Sequence, residues 1–304
     1  MINEYNVMDM KSKSLIFTTI ISILSFSSCI AQNESKKIEN GLYFGQKPPG
    51  VVAEPFASSV LAFEPHDSPI ISQDETWMII GTTEQGVKFY TSVNGKLSLS
   101  TNPLNFDIPF SEIPYSYNGM EISRSEKKII FLIWINNNAK FYSIEKAENS
   151  WTPPKLMGKE LNSISTHWQF TVANNENLYL MVRKQGICIS EFNGKSYIKP
   201  IQLILDDGRN MDGGTPYIAP DESYIIYSLD DDLQISYKLS NGKWTLPQNL
   251  GRDINSDGLD LCPRISPNGK YLFFVSGRFS TGLAIYWANA SFIEKLKPRK
   301  NIIE

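Results

Sequence analysis

Short apolar runs, each entered through a polar turn, recur along the chain. Trp77-Met78-Ile79-Ile80, Ile129-Ile130-Phe131-Leu132, Leu178-Tyr179-Leu180-Met181, Tyr224-Ile225-Ile226-Tyr227 and Tyr271-Leu272-Phe273-Phe274 are apolar at successive positions. Runs without alternation, rich in β-branched and aromatic residues, predict strands with neighbours on both faces. Ahead of them stand Ile71-Ser72-Gln73-Asp74, Ile122-Ser123-Arg124-Ser125, Val172-Ala173-Asn174-Asn175, Ile218-Ala219-Pro220-Asp221 and Ile265-Ser266-Pro267-Asn268. Pro267 pre-sets φ at its turn's second position, and Gly269 fits the last. Taking the small residue of each turn as an anchor (Ser72, Ser123, Ala173, Ala219, Ser266), the steps are 51, 50, 46 and 47 residues. A fixed period of this size, with several strands per unit, predicts propeller blades.

A second signal keeps the same period. Asn94-Gly95-Lys96, Asn193-Gly194-Lys195 and Asn241-Gly242-Lys243 predict hairpin turns, because Asn-Gly favours the type I′ geometry that matches strand twist. Beyond them Trp151, Tyr197 and Trp244 are each followed by proline three residues later, at Pro154, Pro200 and Pro247. Proline in a strand belongs at an edge, so these segments form the outer part of each blade. The last repeat lacks that outer strand: after Gly282–Trp287 the segment Ser291–Leu296 predicts a short helix with Glu294 in its first turn. Near the other end, Val52–Phe56 has the outer-strand spacing with no blade before it. The expected fold is therefore all-β, one five-bladed propeller over 42–304. Its N-terminal strand joins the C-terminal blade, which removes open sheet edges. A sixth, degenerate blade is the alternative, for which the spacings leave no room.

The pattern Ile265-Ser266-Pro267-Asn268-Gly269-Lys270-Tyr271-Leu272-Phe273-Phe274-Val275-Ser276 resembles the TolB-like, WD-type β-propeller repeat of bacterial envelope proteins. Gly45–Gly50, Ile285–Trp287 and Leu296–Pro298 resemble a lipoprotein subgroup of that family. The resemblance spans residues 42–298 and implies a propeller in the cell envelope. Arg124-Ser125 and Asn174-Asn175 depart from its Pro-Asp or Pro-Asn step. Fold likeness of this kind licenses no activity.

Residues 1–31 read as an export signal. Lys11 and Lys13 form a basic region ahead of an apolar stretch from Leu15 to Leu24, short for a membrane span. Phe26-Ser27-Ser28-Cys29 has the form of a lipobox with Phe26 where leucine is usual, so Cys29 is the expected lipidation site. Cleavage after Ala31 without lipidation is the alternative. Residues 32–41 are polar and read as a tether. The expected location is the cell envelope, periplasmic or anchored to the outer membrane.

Charge and cysteine content narrow the function. The net charge is −3, and no basic patch with interleaved aromatics occurs, which argues against nucleic acid as a partner. Cys188 and Cys262 fall in non-neighbouring blades, too far apart for a disulfide, and read as buried apolar residues. Asp253–Gly258 matches the opening of a calcium loop, but its twelfth position is Arg264 instead of a bidentate glutamate. The segment also parallels Met157–Ser163 two blades earlier, so it reads as a structural inter-blade loop.

Six residues before the anchors stand His66, Tyr117, His167, Gly213 and Asp260, so both histidines of the chain share one repeat phase. If the anchored strand is innermost, these positions converge on one channel mouth. With Asp67 and Asp212 beside them they could bind a polar ligand or a divalent metal; equally, they could cap strand ends or face channel water. No nucleophile elbow, phosphate-binding glycine loop or metal-spaced histidine pair occurs. The expected function is a non-enzymatic, monomeric scaffold without cofactor that binds a protein, peptide or glycan and meets the membrane only through its lipid. The alternative is a glycosidase using two of Asp67, Glu121, Asp212 and Asp260.

Overall fold

The computed structural model describes residues 42–82, 86–106, 116–135, 138–164, 166–279 and 282–298; the expected signal (1–31), with Cys29, and the expected tether (32–41) lie outside them. Every apolar run named above is the second strand of a four-stranded antiparallel sheet. Strand β1 (Glu54–Pro55) comes first in the chain. Blade 1 follows as β2 (Ile70–Ile71), β3 (Trp77–Thr82), β4 (Gly86–Val93) and β5 (Lys96–Ser100). Blade 2 is β6 (Ser116–Ile122), β7 (Lys128–Ile135), β8 (Asn138–Glu145) and β9 (Lys155–Leu156). Blade 3 is β10 (Thr166–Val172), β11 (Leu178–Val182), β12 (Gly186–Ser190) and β13 (Ile201–Gln202). Blade 4 is β14 (Gly214–Ile218), β15 (Tyr224–Leu229), β16 (Asp232–Tyr237) and β17 (Gln248–Asn249). Blade 5 is β18 (Asp260–Ile265), β19 (Tyr271–Ser276) and β20 (Ala284–Asn289), before the helix α1 (Phe292–Leu296).

Blade 5 takes its fourth strand from the other end of the chain. Glu54 pairs with Trp287 and Pro55 with Tyr286, as the spare outer strand required. Side chains reinforce this short pairing. The buried Phe56 ring lies 5.0 Å from both Phe273 and Trp287, edge-on. Tyr43 packs edge-on against Tyr271 at 4.9 Å and donates its hydroxyl to Glu75 across the closure. Gly45 makes room for the incoming chain: its φ is +77°, and a Cβ there would sit 2.4 Å from the Gly95 carbonyl.

Because both faces of each sheet meet a neighbouring blade, the core is divided among the junctions. Five apolar clusters of described residues fill them, such as Ile79, Phe89, Met120 and Phe131 between blades 1 and 2. Ile226, Ile235, Leu272 and Phe274 do the same between blades 4 and 5.

A polar latch repeats at the rim of these junctions. Three residues beyond each anchor stand Glu75, Glu126, Glu176 and Glu222, with φ between +53° and +66°, and Gly269 at +73°. The left-handed conformation costs an L-residue about 1–2 kcal/mol. In return, each glutamate reaches the preceding blade. Glu126 accepts from the Gln73 amide at 3.0 Å, and Glu176 pairs with Lys128. Glu222 accepts from Asn177 at 2.8 Å and Tyr179 at 2.9 Å, while Glu75 accepts from the Asn268 amide of blade 5. Gly269 has no carboxylate to offer blade 4. There α1 takes over, with Phe292 and Ile293 in the shared cluster and the Tyr237 hydroxyl donating to the Ile293 carbonyl.

Two outcomes test this architecture. Phe56→Ala should lower unfolding free energy by about 3–5 kcal/mol in urea titration, whereas Leu99→Ala on an outer strand should stay within about 0.5. The latch should show in acid. Burial alone would raise the Glu222 carboxyl, but hydrogen bonds from Lys238, Asn177 and Tyr179 outweigh it and bring it from 4.5 down to about 2. A depressed carboxyl contributes stability above the unfolded value and loses it as pH falls toward the folded one. Urea midpoints of Glu222→Gln should therefore fall less steeply than wild type between pH 4.5 and 2.

Candidate functional site at the propeller axis

The first strand of each blade carries the axis, and four of the five break register there. The ladders β6/β7, β10/β11, β14/β15 and β18/β19 each shift by a bulge before the strand ends. A bulge re-aims the side chain it carries. Four residues before the anchors, this brings Ser68, Gly119, Gln169, Thr215 and Cys262 to one level, all buried. Thr215 (φ +44°) and Cys262 (φ +53°) hold left-handed backbone there, which is strained for a β-branched or bulky residue. The backbone at Cys262 and Pro263 is satisfied across blades. The Cys262 amide donates to Thr215 Oγ1 at 3.0 Å, Ser68 Oγ donates to the Cys262 carbonyl, and Gln169 Nε2 donates to the Pro263 carbonyl at 3.0 Å. Blades 3 and 5 are not neighbours, so the Gln169 bond crosses the axis. Among the described residues, this bond bridges the channel.

Two residues before the anchors lie Ile70, Glu121, Thr171, Tyr217 and Arg264. Glu121 and Arg264, again from non-neighbouring blades, form a buried ion pair: Arg264 Nη1 lies 2.8 and 3.1 Å from the two Glu121 oxygens. Arg124 Nη2 reaches the Tyr217 hydroxyl at 3.4 Å, from blade 2 to blade 4. Burial alone would lower the Arg264 pKa, but the Glu121 charge and hydrogen bond, with Asp67 behind them, more than offset it and raise it. Burial likewise raises Tyr217, against the pull of Arg124 and Arg264, so its hydroxyl stays protonated. These groups line a cup of about 30 Å³ that opens between the turns bearing Gln73, Arg124 and Glu126.

The residues singled out by repeat phase lie on the other side of this bridge. Asp67 is buried and accepts from the Gly81 amide at 3.0 Å, and the His66 carbonyl faces Cys262 Sγ. The structure thus sets the His66–Asp67 segment against blade 5 near the axis. Asp260 is turned into its own loop, where it accepts from Ser256 N at 2.7 Å and Ser256 Oγ at 2.9 Å and faces Arg278 at 3.4 Å. Asp212 is exposed beside Gly186. Tyr117 and His167 lie in β6 and β10, with side chains outside the described residues. Among the described residues no group of three or more His, Cys, Asp or Glu is gathered closely enough to hold a metal.

The calcium-like segment is an inter-blade loop. The buried Asn255 stitches it to β16 through the Leu233 amide and carbonyl at 2.9 and 3.0 Å. Asn162 does the same on β8 through both polar groups of Phe141. Cys188 and Cys262 are buried thiols.

No protein-family model and no curated protein matches the sequence. Among solved structures the chain is similar to TolB propellers, as its repeat resemblance implies. A candidate TolB from Agrobacterium tumefaciens is 17% identical, with a TM-score of 0.45 and 69% of each chain covered. TolB from Acinetobacter baumannii is 14% identical at a TM-score of 0.43, covering 73% of this chain and 56% of the other. An engineered GH43 glycoside hydrolase is 9% identical at 0.48, covering 78% of this chain and 52% of the other. At this level of likeness neither activity nor ligand transfers; the five-bladed propeller stands on the chain's own sheets.

The ion pair makes a sharp stability prediction. Arg264→Met alone should cost about 3–5 kcal/mol in urea titration, because Glu121 is left buried and unpaired, while Arg264→Met with Glu121→Met should come back close to wild type. A double variant as damaged as the single one would show that neither residue is merely the other's counter-charge.

Proposed function

We propose that this chain is a non-enzymatic binding module of the cell envelope, exported by its N-terminal signal, tethered through Cys29, and offering an axial mouth to a protein, peptide or glycan. The observation that carries this reading is the bridged axis. At two levels described residues of non-neighbouring blades bond across the ring, Gln169 to the Pro263 carbonyl and Arg264 to Glu121, which favours a partner docked at a mouth over one threaded through the ring. Propeller ligands commonly gather at such convergent polar groups, where five blades each contribute one position.

Hydrolysis is the weaker reading. A glycosidase needs two carboxyl groups facing one sugar across about 5–9.5 Å. Here both Glu121 oxygens face Arg264, Asp67 caps the Gly81 amide, Asp260 caps its own loop, and Asp212 lies apart on the surface.

A photo-crosslinking amino acid at Gln73, on the cup's rim, should capture an envelope partner that the same group at Lys195, on an outer hairpin, does not. Equal capture at both positions would remove the axial mouth from consideration. Turnover in a polysaccharide-hydrolysis screen, abolished by Glu121→Gln or Asp260→Asn, would replace binding with catalysis. For the tether, a fatty-acid probe should label wild type and leave Cys29→Ser unlabelled.

A further inference from the structure

The junction between blades 4 and 5 is built differently from the others, and a cavity lies beside it. In blades 1, 2 and 3 the turn glutamates meet groups one, four, five or six residues past the anchor: the Gln73 amide, Lys128, Asn177 and Tyr179. The matching positions of blade 4 are Pro220, Ser223, Tyr224 and Ile225. Gly269 brings no glutamate to them, and a Cβ built on it would meet open space. Pro220, Ser223 and Tyr224 instead line a cavity of about 340 Å³, with Tyr237 of β16 and Ile293 of α1. Asp221, Glu294 and Lys297 complete its polar lining, and it shares no residue with the axial cup.

The lining offers acceptors and few donors. Asp221 is exposed, and its Oδ1 accepts from the Ser223 amide at 3.0 Å and the Ser223 hydroxyl at 2.6 Å, which leaves Oδ2 with no described partner. Burial would raise the Asp221 carboxyl, but the Ser223 bonds, with the Lys297 charge behind them, outweigh it and lower it. Lys297 Nζ lies 3.4 Å from Glu294 Oε1, and both side chains are more than half exposed. A long, solvated pair of this kind is worth little and is readily exchanged. The Ser223 proton is committed to Asp221 and the Tyr237 proton to the Ile293 carbonyl. Two carboxylates against one ammonium leave the lining net negative. The Tyr224 and Tyr237 rings, 6.3 Å apart and inclined at 54°, add aromatic surface that attracts a cation.

We infer that this cavity takes the guanidinium of an arginine side chain from a polypeptide partner, stacked on Tyr224, with Asp221 Oδ2 and Glu294 accepting its N–H groups and Lys297 displaced toward solvent. A guanidinium fits better than an ammonium because it is planar, weakly hydrated and carries five donors, enough to serve carboxylates on two walls while lying flat on a ring. Size selects a single side chain. Ligand pockets run from about 300 to 1,000 Å³, and this one is at the small end, so one side chain enters while its backbone stays at the rim.

The site goes beyond the axial mouth and does not depend on it. Full-length protein carrying ¹³C-labelled tyrosine is titrated with the blocked tripeptide Gly-Arg-Gly, with its neutral citrulline counterpart and with spermidine. The Tyr224 ring signals are assigned by their loss in Tyr224→Phe. The arginine peptide should shift them saturably and raise the thermal unfolding midpoint by mass action; the citrulline peptide should do neither. Asp221→Asn keeps the turn, since Asn175 and Asn268 make the same bond in blades 3 and 5. It should weaken binding about tenfold, the loss of one charge-assisted hydrogen bond. Lys297→Met should tighten binding by removing the resident cation. If Asp221 serves only its turn, Asp221→Asn will leave binding unchanged, and the inference falls. An equal response to the citrulline peptide, tighter binding of spermidine, or no response in either readout overturns it as well. Binding that appears only after Arg299→Gln with Lys300→Gln would assign the cavity to the chain's own tail and overturn the partner.

Discussion

A ring of sheets holds only if the last sheet meets the first, and this chain meets that condition with two residues of backbone pairing and a block of aromatic rings. Glu54 and Pro55 supply few ladder hydrogen bonds. Phe56, Tyr43, Phe273 and Trp287 supply the buried area that makes the seam as apolar as the other junctions. Without the seam, the outer edge of blade 5 and the first face of blade 1 would both stand open to water and to other chains. Every other feature presupposes a closed ring, because only closure brings five first strands to a common axis.

Closure then creates a problem at the axis, where five backbones approach with their polar groups inward. The solution is a bulge in four of the first strands and left-handed backbone at Thr215 and Cys262. Buried hydrogen bonds between blades accompany the bulges, and two contacts, Gln169 to the Pro263 carbonyl and Arg264 to Glu121, run between blades that are not neighbours. The ring is therefore pinned through its centre as well as around its rim, where the turn glutamates accept equivalent strain to bond the preceding blade. Strain of this sort persists only where the surroundings over-determine the conformation.

Described residues therefore bridge the axis at two levels. On one side, His66 and Asp67 lie against blade 5; on the other, Arg264, Glu121, Tyr217 and Arg124 surround a small cup.

The architecture was legible in the order of residues alone. Strand runs, Asn-Gly hairpins, the anchor period and the unmatched outer strand at Val52–Phe56 are local signals, and local signals survive in a linear reading. The glutamates three residues past each anchor were equally periodic and could have been found by the same count, but their partners lie in other blades and give no local sign. The axial cup was hidden for a deeper reason. Arg264 and Glu121 are 143 residues apart, and counting back six positions from the anchors selects the far side of a bridge that no sequence spacing announces. A repeat phase tells which residues share a level of the ring. Which side chains turn inward at that level is decided by the bulges in the first strands, and the cross-blade partners that hold those side chains exist only once the ring is closed.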